Sequence, residues 1–237
     1  MGKRAAIKNV DTEPFPGHTI REICNSDRFP DSKIKKADRA FMLCGTVNLL
    51  NVAQDAINHP YTFVRSVKTI MEEDRDIDFC DYLSRSSNLR ISTEFFNKYF
   101  SHHIVNNMMT QYKQLWQKIK TLNPTILLIA VSILPIPLYF SFLDKTNIAI
   151  NQAVRKIFTS KPNHIYIPLS SAFLSTPTPS NPEHFIKYHL YDYKLIHLSQ
   201  EGIDTVEKRI SQFVKNKQVV QKLKSQIKKG KKVSFNN

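Results

Sequence analysis

Apolar and polar positions in this chain repeat with two different periods, and the two alternate. From Asn106 to Lys120 the apolar residues Met109, Tyr112, Leu115, Trp116 and Ile119 recur every three or four positions. That is the spacing of one face of a helix. Asn123-Pro124 ends the pattern, because a proline disfavours helical backbone in the residue before it. The stretch that follows, Thr125 to Leu134 (TILLIAVSIL), is almost entirely apolar and rich in branched side chains. It predicts a strand covered on both faces, as in a parallel sheet. It is too short to cross a bilayer and is bracketed by Pro124, Pro135 and Pro137. Asn147 to Phe158 returns to the helical period, with Ile148, Val154, Ile157 and Phe158 as candidate buried residues. His164 to Leu169 reads as a further strand. A last helix begins near Ile203, with a stripe of Val206, Ile210, Phe213, Val220, Leu223 and Ile227.

The N-terminal part fits the same alternation. Ala5–Val10 reads as a strand, and Pro16-Gly17-His18-Thr19-Ile20 opens a short helix to about Cys24. Ala40–Cys44 forms an apolar strand that ends in a glycine turn at Gly45. The expected strands are therefore Ala5–Val10, Ala40–Cys44, Ile126–Leu134 and Ile165–Leu169. Helices between them imply an α/β fold with a parallel sheet and right-handed crossovers. Ligands of such sheets bind beyond the carboxyl ends of the strands. Gly17, Gly45 and His197 are expected to converge there.

His197 stands in YKLIHLSQEG, Tyr193 to Gly202, on a loop just before the last helix. A histidine on a loop anchored by a rigid element is placed to act as a base. The alternative is a histidine that packs under the helix. Gly17 and Gly45 either serve tight turns or let backbone amides approach a bound group. Asn48 is either a turn or cap residue or a hydrogen-bond donor to a ligand.

Between about Val52 and His103 lies a segment that reads as a helical insertion. It carries Glu72, Glu73, Asp74, Asp76, Asp78 and Asp81, but no glycine occurs between Gly45 and Gly202 to make a calcium-loop turn. Its aromatic group, Phe95, Phe96, Tyr99 and Phe100, predicts a small local core. Cys24, Cys44 and Cys80 have neither metal spacing nor a disulfide framework. No metal or cofactor is expected. MGKRAAIKN lacks the apolar run of a signal peptide, so an intracellular protein, cytoplasmic or nuclear, is expected.

The formal net charge of +14 is concentrated at the C-terminal end. From Glu207 onward there are nine lysines and Arg209 against Glu207 alone. The reading is one domain over residues 1–221 and a basic, disordered tail over 222–237. Lys222, Lys224, Lys228, Lys229, Lys231 and Lys232 are candidates for non-specific contact with nucleic acid. No aromatic residue interleaves the lysines between Phe213 and Phe235, so such contact would be electrostatic and salt-sensitive.

The order PGHTI, FMLCGTVNLLN, NPTILLIAVSILPIP and IHLSQEG resembles the SGNH (GDSL-like) hydrolase superfamily, in particular the divergent domains of mobile genetic elements. The resemblance runs from about Ala5 to Phe213, apart from the insertion. It implies a flavodoxin-like three-layer sandwich that hydrolyses small acyl esters. In the family a serine in a GDS block is the nucleophile. A glycine and an asparagine from the next two blocks line the oxyanion hole, and a DxxH block supplies base and orienting carboxylate. The chemistry is that of serine acyl transfer.

This chain matches the second block through Gly17 and the last through His197. Gly45-Thr46 matches the third block, but Val47 stands at the asparagine position and Asn48 one residue later. Lys194 stands at the aspartate position, leaving Asp192 as the candidate substitute. The segment MGKRAAIKNVDTE, where the nucleophile block belongs, has no serine. Either the block lies upstream of Met1 or the nucleophile is lost. Ser132 is a hydroxyl that could be recruited instead. The expectation is a catalytically degenerate hydrolase-like domain. The alternative is a non-catalytic binding or scaffolding protein with a nucleic-acid-binding tail.

Overall fold

The structure is a computed structural model, and it describes residues 14–60, 63, 93–161, 163–175 and 186–215. It is a mixed α/β fold. Seven α-helices are present among the described residues: α1 (Ile20–Asn25), α2 (Asp31–Lys36), α3 (Thr46–Asn58), α4 (Thr93–Tyr99), α5 (Ser101–Leu122), α6 (Phe140–Ser160) and α7 (Gln200–Lys215). Three strands, β1 (Arg39–Met42), β2 (Leu127–Val131) and β3 (His164–Ile167), form one parallel sheet in the order β1-β2-β3. Ala40 pairs with Leu128, and Ile129 with Ile165. Three of the four expected strands are thus present, each shorter than the apolar run that announced it. Ala5–Val10 lies outside the described residues.

The central strand explains its own composition. Every residue of β2 is buried. Leu128 and Ala130 face one core, shared with α3, α4, α5 and α6. Leu127, Ile129 and Val131 face a second core, shared with Phe173, Leu190, Val206 and Ile210. A strand with helices on one face and α7 on the other has no polar side to show, so its sequence reads as a continuous apolar run. The strand stops at Val131 because the next backbone groups bond elsewhere. Ser132 N–H still donates to Ile167 O, but Ile133 is taken by a side chain of α6.

The local signals at helix ends are legible. Thr19 caps α1 with a capping box: its hydroxyl accepts from Glu22 N–H, and the Glu22 carboxylate accepts from Thr19 N–H. Asn123 ends α5 and ties it to α2, donating from Nδ2 to the carbonyls of Ile34 and Ala37.

The segment read as an insertion is joined to its surroundings at both ends. Val52–Asn58 completes α3 without a break, and residues 101–103 are the first turn of α5. The acidic group from Glu72 to Asp81 lies outside the described residues. The aromatic residues make no separate core. Phe96 and Phe100 are fully buried in the main cluster, and Phe96 packs against Phe142 of α6 in a tilted pair with 4.1 Å between ring centres. Burying each such ring stabilises the fold by about 1.5–3 kcal/mol, and here that gain joins α4 to α6.

Candidate functional site

The carboxyl ends of the three strands lead into Leu43–Gly45, Ser132–Pro137 and Pro168–Ser170. Gly45 ends the first. Its φ of +104° is left-handed, and an added Cβ would lie 2.7 Å from the Tyr112 hydroxyl and 2.8 Å from Ile133 Cδ1. So the turn after β1 packs directly against the segment after β2. The Tyr112 hydroxyl holds this turn by donating to Cys44 O at 2.7 Å. Burial pushes the Cys44 thiol up to about 12, and a hydrogen bond with Tyr112 offsets part of that. The Tyr112 hydroxyl is itself pushed well above its ordinary value, first by burial.

The segment after β2 is fixed by α6. Asn151 accepts from Ile133 N–H at 2.8 Å and donates to Ile133 O at 3.0 Å. It also donates to Asn147 Oδ1, while Asn147 donates to Leu134 O. Both asparagines are buried. Beside them lies a cleft of about 180 Å³ whose lining includes Pro135, Asn147, Arg155, Tyr166 and Ser170. Tyr166 is half-buried, and burial raises its hydroxyl above the ordinary value; a hydrogen bond with Ser132 and the Arg155 charge pull it partway back. Ser132 is 1% exposed, and its Oγ accepts from Ser170 N–H at 2.7 Å. It is a bracket between the segments after β2 and β3. A hydroxyl so enclosed and engaged is poorly placed to attack a carbonyl.

The loop carrying His197 closes onto the same region. The buried Tyr191 hydroxyl donates to Pro135 O at 2.7 Å, and Leu138 N–H donates to Leu195 O. Asp192 N–H donates to His197 O at 2.8 Å, and Leu195 N–H to Asp192 O. The Asp192 carboxylate accepts from Lys194 N–H at 3.0 Å, the self-bonding of a turn aspartate. Leu195 has a φ of +55°. His197 is exposed, and its ring makes no hydrogen bond among the described residues. Asp192 and His197 are thus neighbours through backbone, and the carboxylate is occupied within its own turn.

Asn48 sits in the first turn of α3 and is buried. Its Oδ1 accepts from Ile20 N–H at 3.0 Å, satisfying a free donor at the start of α1, and its Nδ2 donates to Gln111 Oε1 at 2.9 Å. It caps a helix other than its own. Gly17 is exposed in the turn before α1, at φ +73°, with nothing within 4 Å of a would-be Cβ. The structure therefore brings Gly45, the Ser132–Pro135 segment and the His197 loop into linked contact. Asn48 faces α1 and α5 instead, and Gly17 has open space about it. The tail lysines 222–232 lie outside the described residues.

Sequence reasoning missed Asn147, Asn151 and Tyr166. The available signal was a pair of asparagines four apart on an otherwise apolar helix stripe, between Leu143, Ile150 and Val154. Among the described residues no group of three or more His, Cys, Asp or Glu could hold a metal ion, and no helix is long and apolar enough to cross a membrane. Comparison with protein-family models, with curated proteins and with solved structures finds no match to this chain.

Proposed function

We propose that this chain is an SGNH hydrolase-like domain of the ester-hydrolase superfamily whose catalytic set is incomplete, and that it binds small acyl esters without turning them over. The observation that carries the reading is the linkage at one sheet edge. Gly45 abuts Ile133, Asn151 clamps Ile133, and the His197 loop is bonded to Pro135 and Leu138. Gly45 stands in the block from which the family draws its oxyanion asparagine and His197 in the block that supplies its base, whereas Gly17, at the oxyanion-glycine position, has open space about it.

A flavodoxin-like sandwich accords with this. Three consecutive strands in the order β1-β2-β3 would be the last three of the order 2-1-3-4-5. Two cores on opposite faces of β2 suit three layers.

Two side chains favour binding over catalysis. An oxyanion donor must be free to meet the developing charge, yet the Asn48 amide bonds Gln111. A triad carboxylate must orient the imidazole, yet that of Asp192 accepts from Lys194 N–H. The same observations support the second reading, a non-catalytic scaffolding protein with a basic tail that contacts nucleic acid.

Butyramide, an acyl compound that resists hydrolysis, tests the binding. Titrated into the isotopically labelled full chain, it should shift the amide resonances of residues 44–46, 133, 134, 136 and 195–198 together. Saturation without movement of these signals would overturn the proposal.

A further inference from the structure

A second cleft, of about 380 Å³, lies between α7 and residues 187–190. Its charged lining is one-sided: Lys187, Lys208 and Arg209 against the single carboxylate of Glu201, with His189 beside it. Glu201 lies 3.6 Å from the His189 ring. Thr205 and Gln212 add neutral donors on the same stripe of α7.

The two walls are held in register. A Cβ at Gly202 would lie 2.0 Å from Leu190 O, so α7 approaches this segment as only glycine allows. Ser199 N–H donates to Leu190 O, while Ser199 Oγ donates to His189 O and accepts from Gly202 N–H. Leu190, Val206 and Ile210 are buried in one core beneath. Cations from two separate elements therefore line one cavity whose backbone walls are held together.

We propose that this cleft binds consecutive phosphates of a nucleic-acid backbone. Arg209 offers a planar fork for phosphate oxygens, and lysines add point charge. A polymer is favoured over a lone phosphate because the sequence beyond α7 continues the charge through Lys217, Lys222 and Lys224. Backbone is favoured over base, since no Phe, Tyr or Trp is among the residues lining the cleft. The inference is independent of the hydrolase reading, and it places an anion site on the folded domain as well as on the tail.

Anisotropy of a fluorescent oligothymidylate with the full-length chain, across a salt series, tests it. The Lys187→Gln/Lys208→Gln/Arg209→Gln variant should bind roughly tenfold more weakly, and its slope of log affinity against log salt should drop by about 2, since each phosphate neutralised on a single strand contributes about 0.7. Glu201→Gln should bind more tightly, an effect that misfolding would not mimic. An unchanged slope in the triple variant, or weaker binding by Glu201→Gln, would overturn the proposal.

Discussion

The side-chain amide of Asn151 holds both backbone groups of Ile133, accepting from its N–H at 2.8 Å and donating to its C=O at 3.0 Å. A side-chain amide carries its acceptor and its donor on separate atoms, so it can meet both backbone groups of one residue. The contact ends the central strand, because it takes Ile133 from the sheet ladder. Asn151→Leu leaves two buried backbone groups and Asn147 Oδ1 unpartnered. Each such loss costs about 1–3 kcal/mol, so with three lost a fall in the urea midpoint worth about 3 kcal/mol or more is expected. Asn151→Leu with wild-type stability would mean that the clamp is dispensable.

Gly45 admits no side chain. Gly45→Ala would place a methyl 2.7 Å from the Tyr112 hydroxyl and 2.8 Å from Ile133, at a φ of +104° that L-residues rarely adopt. Backbone strain and overpacking together should cost about 2–4 kcal/mol. Gly17→Ala has open space around it and incurs the backbone term alone, so it should cost about 1–2 kcal/mol. Paired denaturation curves check the order of the two.

The Cys44 thiol gives stability a pH dependence. Its folded value is raised to about 12, so the folded state disfavours the thiolate that the unfolded chain forms readily. The contribution is complete below the ordinary value of 9.0 and is lost as pH rises from there towards 12. Melting temperature should therefore fall as pH rises above about 9 towards about 12, and less steeply in Cys44→Ala. Alkylation of Cys44 in the folded chain should be correspondingly slow. An identical slope in wild type and Cys44→Ala would remove the thiol from the account.

The tail is a separate matter of charge. Changing Lys222, Lys224, Lys228, Lys229, Lys231 and Lys232 to glutamine should lower the salt slope of oligothymidylate binding by about 4 and leave the melting temperature nearly unchanged. An unaltered slope would confine binding to the cleft on α7.

Much of the fold was legible because β2 and α5 each carry one dominant period. The Ile126–Leu134 run reads as a strand covered on both sides, and it is one, up to Val131. What the run conceals is its end, since the residues past Val131 are equally apolar and only Asn151, eighteen positions later, breaks the ladder. The α1 start was also on the page, in Thr19 and Glu22. The rings of the aromatic group do touch one another, as adjacency in sequence suggested, but Phe96 also packs on Phe142 of α6, some forty positions away, and so the group joins the main core rather than forming one of its own. The site was half legible. Gly45 and His197 stand on loops that the structure links to the segment after β2. The roles of Asn48 and Asp192 depend on which partners reach them first, Ile20 and Gln111 for one and Lys194 for the other, and no spacing announces that.

The most direct test of the account is turnover of short p-nitrophenyl acyl esters by the full-length chain beside His197→Ala. With the Asn48 amide and the Asp192 carboxylate both engaged, and Ser132 enclosed, the two proteins should hydrolyse the ester at the same negligible rate above buffer. Robust hydrolysis that disappears in His197→Ala would contradict it, because His197 would then be serving an activated nucleophile in a working active site.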